Sequence, residues 1–207
     1  MKVLLFNGSP HIKGNTAIAL DEIVKTLEDK GIETEIIQIG GKSIRGCIGC
    51  GKCAENGHRC VFDDIVNVCL DKVETADGFV FASPVYYASP NGTLLAFLDR
   101  LFYAGSSYFA YKPGASVAVA RRAGTSTTYD TLNKYIGISN MLMVPANYWN
   151  NVHGAAAGEA TQDLEGLQTM RVIGANMAWL LELIESGAAH GLPHPVPESK
   201  AKFNFIR

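Results

Sequence analysis

Residues 1–16 read MKVLLFNGSPHIKGNT, and this stretch decides the fold. Residues 3–6 are apolar at every position, the pattern of a short strand buried on both faces of a parallel sheet. The run breaks at Asn7-Gly8-Ser9-Pro10. Asn15 and Thr16 then stand where a helix N-cap belongs, ahead of Ala17, Ile18, Leu20, Ile23 and Leu27 at helical spacing. Gly31 ends that helix, and a second strand is expected over residues 33–39. Strand, glycine-punctuated loop, helix and strand make one unit of a parallel α/β sheet.

The unit repeats along the chain. Residues 65–73 read as a helix, GFVFA at 78–82 as another fully apolar strand, and Leu94, Phe97, Leu98 and Leu101 as a helix packed on the sheet. Residues 115–120 and 141–144 are expected to be the fourth and fifth strands, with a helix over about 127–138 between them. A last helix over about 163–186 carries an apolar stripe that starts at Leu164, passes Met170, Ile173 and Met177, and ends at Ile184. Five strands alternating with five helices predict an α/β three-layer sandwich, a five-stranded parallel sheet with helices on both faces. Residues 187–207, with Pro193, Pro195 and Pro197, are too proline-rich to continue a helix and are expected to wrap the surface.

The 207 residues show no composition break or polar linker, so residues 1–207 are expected to form one domain. With 47% hydrophobic and 18% charged residues the chain can bury a sizeable core. A formal charge of −2 without a basic patch argues against nucleic acid as a main partner. No apolar run approaches the roughly 18 residues a membrane helix needs, and the few apolar residues before Asn7 fall short of a signal peptide. The expectation is a cytoplasmic protein, where clustered thiols more often bind metal or do redox chemistry than form structural disulfides.

In an open parallel sheet, ligands bind beyond the carboxyl ends of the strands. Residues 8–16 lie there, with Ser9, Asn15 and Thr16 as side-chain donors and free amides at the helix start, a site that suits a phosphate. GNT at 14–16 lacks the lysine of GxxxxGK[ST], and the loop is not GxGxxG. A monophosphate held by neutral donors fits better, and FMN is such a cofactor. An ordinary strand-to-helix turn would look alike, but two further loops reach the same edge. SPVYYASPNG at 83–92 offers two tyrosines and a proline-stiffened backbone to a flat ring, and residues 121–125 add Arg121, Arg122 and Gly124.

GCIGCGKCAENGHRC at 46–60 places Cys47, Cys50, Cys53 and Cys60 within fourteen residues. Such compact spacing can bring four thiolates to a [4Fe–4S] cluster. A single zinc more often uses two well-separated CxxC pairs. Free thiols or a redox-active disulfide would use the same residues. Cys69 falls inside an apolar helical pattern and reads as core.

These motifs, with Asp63-Asp64, FLDR at 97–100, Asp163-Leu-Glu-Gly and the closing NFIR, resemble the flavodoxin-like, NADPH-dependent FMN reductases, and among them the iron–sulfur flavoproteins. The resemblance implies a flavodoxin-like fold with strand order 2-1-3-4-5. It implies that Ser9, Lys13, Asn15 and Thr16 hold the FMN phosphate, and that Pro84, Val85, Tyr86, Tyr87 and Asn91 line the isoalloxazine. Arg122, Ala123 and Gly124 would approach the ring from the other side. It further implies NAD(P)H as co-substrate and ping-pong hydride transfer on the flavin, with no catalytic side chain, to a small acceptor such as a flavin, a quinone, or an azo or nitro compound. The iron–sulfur members suggest the alternative of an electron carrier served by a ferredoxin-like donor. A homodimer or homotetramer is implied, neighbouring subunits shaping the site.

Of the remaining features, Tyr148 and Trp149 precede His153 in a loop expected to cover the flavin or meet a partner subunit. Asp99 and Arg100 are expected to pair on a helix surface.

Overall fold

The computed structural model describes residues 1–199, 201 and 203. The closing NFIR motif, residues 204–207, lies outside the described residues. In chain order the elements are β1 (Lys2–Asn7), α1 (Asn15–Glu28), β2 (Glu33–Gln38), α2 (Ile65–Thr75), β3 (Gly78–Tyr86), β4 (Ser89–Pro90), α3 (Gly92–Gly105), β5 (Pro113–Ala120), α4 (Thr125–Ile138), β6 (Leu142–Met143), β7 (Asn151–His153) and α5 (Leu164–Ala189).

Every residue from Val3 to Phe6 is fully buried, because the two faces of β1 meet different layers. Leu4 and Phe6 join a core with α2, α3 and the inner side of α4. Val3 and Leu5 join a second core with α1 and α5. This is the flavodoxin-like arrangement, a parallel sheet covered on both faces. The main path is β2-β1-β3-β5-β6, all parallel.

The sheet has seven strands where five were expected. Two departures account for the difference. Beyond its expected end β3 continues to Tyr86 and folds back as β4, antiparallel, with Val85 opposite Pro90 and Tyr86 opposite Ser89. The fifth strand is split. β6 pairs only Pro113 and Gly114, Pro145 cannot donate to the ladder, and the chain leaves the sheet until Asn151. There β7 pairs Ala118 to Ala120. His153, expected in a loop, therefore lies in a strand.

The last helix runs to Ala189, past the expected start of the tail at residue 187. Its stripe is buried at Met170, Ile173, Met177 and Leu181, but Leu164 is 76% exposed and Ile184 40%. Among the described residues no helix is long and apolar enough to cross a membrane.

Candidate functional site

Three loops meet at the carboxyl rim of the sheet and enclose a cleft of about 720 Å³. Its floor is the loop between β1 and α1. α1 starts after Gly14, which is its N-cap and whose carbonyl accepts from Ala17 and Ile18. Asn15 and Thr16 are thus the first helical residues rather than the cap, and their amides precede the first intrahelical bond. Ser9 is buried, donates its amide to Asn7 Oδ1 at 2.9 Å and accepts the His11 amide on Oγ at 3.1 Å. The Asn15 side chain is committed elsewhere: Nδ2 donates to the Ala156 carbonyl at 2.9 Å, and Oδ1 accepts from the Ala160 amide at 3.2 Å. It ties the floor to the loop after β7.

The floor cannot shift. Gly8 donates to the Ala82 carbonyl at 2.8 Å, and a Cβ at Gly8 would stand 2.7 Å from Leu94 Cδ2. From the other side Gly40, just beyond β2, presses on the same peptide: a Cβ there would fall 2.1 Å from the Gly8 carbonyl oxygen. Gln38 Nε2 donates to the Ser9 carbonyl. The loop conformation is set by the Gly40 and Ala82 backbone, the Leu94 side chain and the Gln38 side-chain amide.

The second wall is the β3–β4 hairpin, whose two turn residues, Tyr87 and Ala88, have φ of 51° and 57°. Positive φ at both positions marks a type I′ turn. Neither residue is glycine, so the turn stores strain that the surroundings must hold. Gly124, at φ 88°, makes that room, since a Cβ there would lie 2.7 Å from Ala88 Cα. Thr127 Oγ1 donates to the Ala88 carbonyl.

The third wall is the segment after β7, absent from the expectations above. Gly154, Ala155 and Ala157 face the cleft. Glu159 Oε2 accepts the amides of Ala155 at 2.7 Å and Ala156 at 2.9 Å. Those amides, with Arg121 nearby, hold the Glu159 carboxyl below its usual value.

Of the expected site residues, Ser9, Lys13, Asn15 and Thr16 line the cleft, as do Pro84, Val85 and Tyr86. Tyr87 projects from the hairpin tip, fully exposed. Asn91 is buried as the N-cap of α3, its Oδ1 accepting from the Thr93 amide at 2.7 Å. Arg121, not Arg122, stands in the cleft wall. Arg122 and Ala123 are exposed beside it, and Gly124 serves the hairpin. Tyr148 and Trp149 stack edge to face at 4.8 Å, both exposed, and are not in the wall. Sequence reasoning missed Gly154 to Ala157, where no glycine-rich motif or periodicity marks the segment.

The four clustered cysteines line one small pocket of about 20 Å³ on the α2–α3 side, with Phe62 and Arg100. That is room for about one or two waters. Among the described residues no three His, Cys, Asp or Glu side chains are gathered as a metal-ion site. The loop has little regular structure, a 3₁₀ turn at Lys52–Ala54, and Gly49, Gly51 and Gly57 have positive φ. Cys47 and Cys50 are exposed, while burial pushes the Cys53 thiol up. Cys69 lies in α2, fully buried, its thiol pushed up to about 12 by desolvation.

Arg100 overturns the expected surface pair with Asp99. It is 1% exposed, and its partner is Asp64, at 2.6 Å to Oδ2 and 2.9 Å to Oδ1. Asp99 instead accepts from the Tyr135 hydroxyl at 2.5 Å, and burial, with this bond second, raises the Tyr135 pKa.

A family profile described as NADPH-dependent FMN reductase matches residues 1–156. An iron–sulfur flavoprotein of Methanocaldococcus jannaschii is 33% identical over 193 residues, covering 89% of this chain and all of that one. A second iron–sulfur flavoprotein, from Methanosarcina thermophila, is 28% identical over 189 residues, covering 89% and 97%. Among solved structures, RosB with bound 8-demethyl-8-formylriboflavin-5′-phosphate superposes with a TM-score of 0.72 at 18% identity, over 100% of this chain and 93% of its own. An archaeal flavodoxin superposes with a TM-score of 0.60 at 14% identity, covering 88% and 99%.

Proposed function

This chain belongs to the NADPH-dependent FMN reductase family, within its iron–sulfur flavoprotein subgroup, and from that premise we infer that it takes electrons from NAD(P)H and hands them to a small acceptor at the cleft described above. It is an FMN-dependent oxidoreductase. The observation that carries the finer reading is the floor of the cleft, where free amides at the start of α1 and the Ser9 side chain surround a peptide that Gly40 and Leu94 hold still.

That floor fits a phosphate monoester. It offers helix-terminal amides and one cation, Lys13, where a triphosphate would need more positive charge. Pro84, Val85 and Tyr86 give one wall a flat, partly apolar surface for a ring system, and Arg121 supplies a cation at the opposite wall. When bound, FMN supplies the hydride and single-electron chemistry; the chain binds, orients and shields it. The cleft is open enough for a nicotinamide and then an acceptor such as a flavin, a quinone, or an azo or nitro compound to use it in turn, the ping-pong order. Purified protein titrated with FMN and assayed with NADH and NADPH tests this reading. Parallel double-reciprocal lines are expected, and a chain that binds no FMN defeats it.

One observation favours a second role, as an electron carrier served by a ferredoxin-like donor. Four cysteines of one loop line a single pocket that no carboxylate shares, beside a buried cation. This donor set suits an iron–sulfur cluster, and the relatives above carry that name. At about 20 Å³ the pocket is too small for one, so cluster binding would require the 46–60 loop to open around its glycines. Iron and sulfide assays after anaerobic purification check it: stoichiometric amounts of both support the carrier, and fast NAD(P)H oxidation without iron supports the reductase alone.

A further inference from the structure

All five N–H donors of one buried guanidinium are spent around the cysteine loop. Arg100 Nε donates to Cys60 Sγ at 3.3 Å, Nη1 to the Arg45 carbonyl at 3.2 Å and to Asp64 Oδ2, and Nη2 to the Phe62 carbonyl at 3.2 Å and to Asp64 Oδ1. Its Cζ also lies 5.1 Å from the Phe62 ring centroid. An arginine has five such donors, so this one has none left for solvent or substrate. The same segment is clamped from α2, where Asn67 accepts the Cys60 amide at 2.8 Å and donates to the Cys60 carbonyl at 3.0 Å. Cys47 shows no comparable anchoring; its sulfur accepts only a 3.5 Å contact from the Gly49 amide.

We propose that Arg100 is a positioning residue for the cysteine centre: it fixes the Cys60 sulfur as a rigid corner toward which the exposed Cys47 and Cys50 close, and its N–H···S bond would raise the reduction potential of an iron–sulfur cluster bound there. The inference rests on the iron–sulfur reading above. A cationic donor aimed at a ligand sulfur stabilises the more negative, reduced centre, one of the protein's levers on cluster potential. The rigid corner also orders assembly. Cys60 is in place before metal arrives, while Cys47 and Cys50 sit on a glycine-hinged loop free to follow.

The test is Arg100→Lys, which keeps a cation but replaces the planar fork with a single point of donation. Two quantities are read in wild type and variant: hydrogen exchange of the peptide spanning residues 58–64 in metal-free protein, and the cluster's reduction potential after anaerobic reconstitution, with FMN content as a check on the cleft. Exchange about tenfold faster in that peptide is expected, the loss of one charge-assisted hydrogen bond, with the potential moved to more negative values. Unchanged exchange overturns the positioning claim, and an unchanged potential at full iron overturns the electronic one. A wild type that takes up no iron defeats the iron–sulfur reading and the electronic claim with it, while exchange still decides the positioning. Should the variant not fold, the wild type carries the test. A slowly exchanging Arg100 Nε–H resonance that shifts on iron loading is expected, and its absence overturns the proposal.

Discussion

The flavin cleft and the Cys60 end of the cysteine loop are held in place by opposite means. The cleft is held by close backbone contacts: Gly40 on the Gly8 peptide at its floor, Gly124 on Ala88 in the second wall, and Gly154 close to the Ala160 amide in the third. The Cys60 end of the cysteine loop is held by two side chains, the buried cation of Arg100 from α3 and the amide of Asn67 from α2, in a loop with little regular structure. A site built from glycine contacts fails by overpacking, whereas a site hung on a buried ion fails when the ion loses its partner. The two can be broken separately.

Asp64→Ala breaks the second region hardest. It strands a fully buried guanidinium and removes the α2 N-cap bond from the Val66 amide. Breaking a buried pair costs about 3–5 kcal/mol; with Asp64 itself partly solvated, about 3 kcal/mol is expected. For a chain of this size that is roughly 6–12 °C in Tm, read by calorimetry. FMN affinity of the folded variant should stay within about twofold, since the cleft shares no hydrogen bond with this segment. A large loss of FMN binding would show the two regions to be coupled.

Gly40→Ala does the reverse. Overpacking of this kind costs about 1–3 kcal/mol, and spent on the floor it weakens FMN by about ten- to a hundredfold, measured by flavin fluorescence quenching. Gly41→Ala is the control: its Cβ would meet nothing nearer than the Pro10 oxygen at 3.7 Å, an ordinary contact. Equal effects of the two would refute the packing account.

The contrast also shows what the sequence could reveal. Strand β1, its loop and helix α1 were legible because both faces of residues 3–6 are buried and the run is apolar throughout. The cleft's first two loops followed from their position at strand ends. The fifth strand was legible only in part: β6 falls within the expected residues 141–144, whereas the three-residue β7 has no periodicity to mark it. Arg100 was misread because Asp99 is its neighbour in sequence, yet residues i and i+1 of a helix point apart. Its partner, 36 positions away, becomes visible only in three dimensions. Asn15 was read as a cap because its type suits one, when Gly14 holds that place and Asn15 instead bridges to residues 156 and 160.

A smaller effect separates the loop cysteines from the fifth. Since the thiolate is the reactive form and burial pushes Cys69 up to about 12, iodoacetamide at mildly alkaline pH should label Cys47 and Cys50 and leave Cys69 untouched in the native chain. Peptide mapping reads this. Cys69→Ala should cost about 1 kcal/mol as a small cavity and leave iron content unchanged. Labelling of Cys69 at the rate of Cys47 would contradict its place in the core.

The smallest effect belongs to the cleft and depends on pH. Glu159 fastens the loop after β7 through the amides of Ala156 and Ala155, and its carboxyl is held below the ordinary 4.5, first by those amides and then by Arg121. A carboxyl whose folded value is depressed contributes fully above its unfolded value and loses that contribution as pH falls through the folded one. FMN binding should therefore weaken on acidification below about pH 4.5 by a small step, small because the carboxylate is exposed and screened by salt. Glu159→Gln keeps the shape and one acceptor oxygen but not the charge, so it should bind FMN slightly less well at neutral pH and show no such step. Fluorescence titrations of both proteins, taken from neutral pH down through the carboxyl range, compare them directly. If the glutamine variant weakens with acid as the wild type does, the pH response lies in another group, and the third wall of the cleft is held by Asn15 rather than by charge.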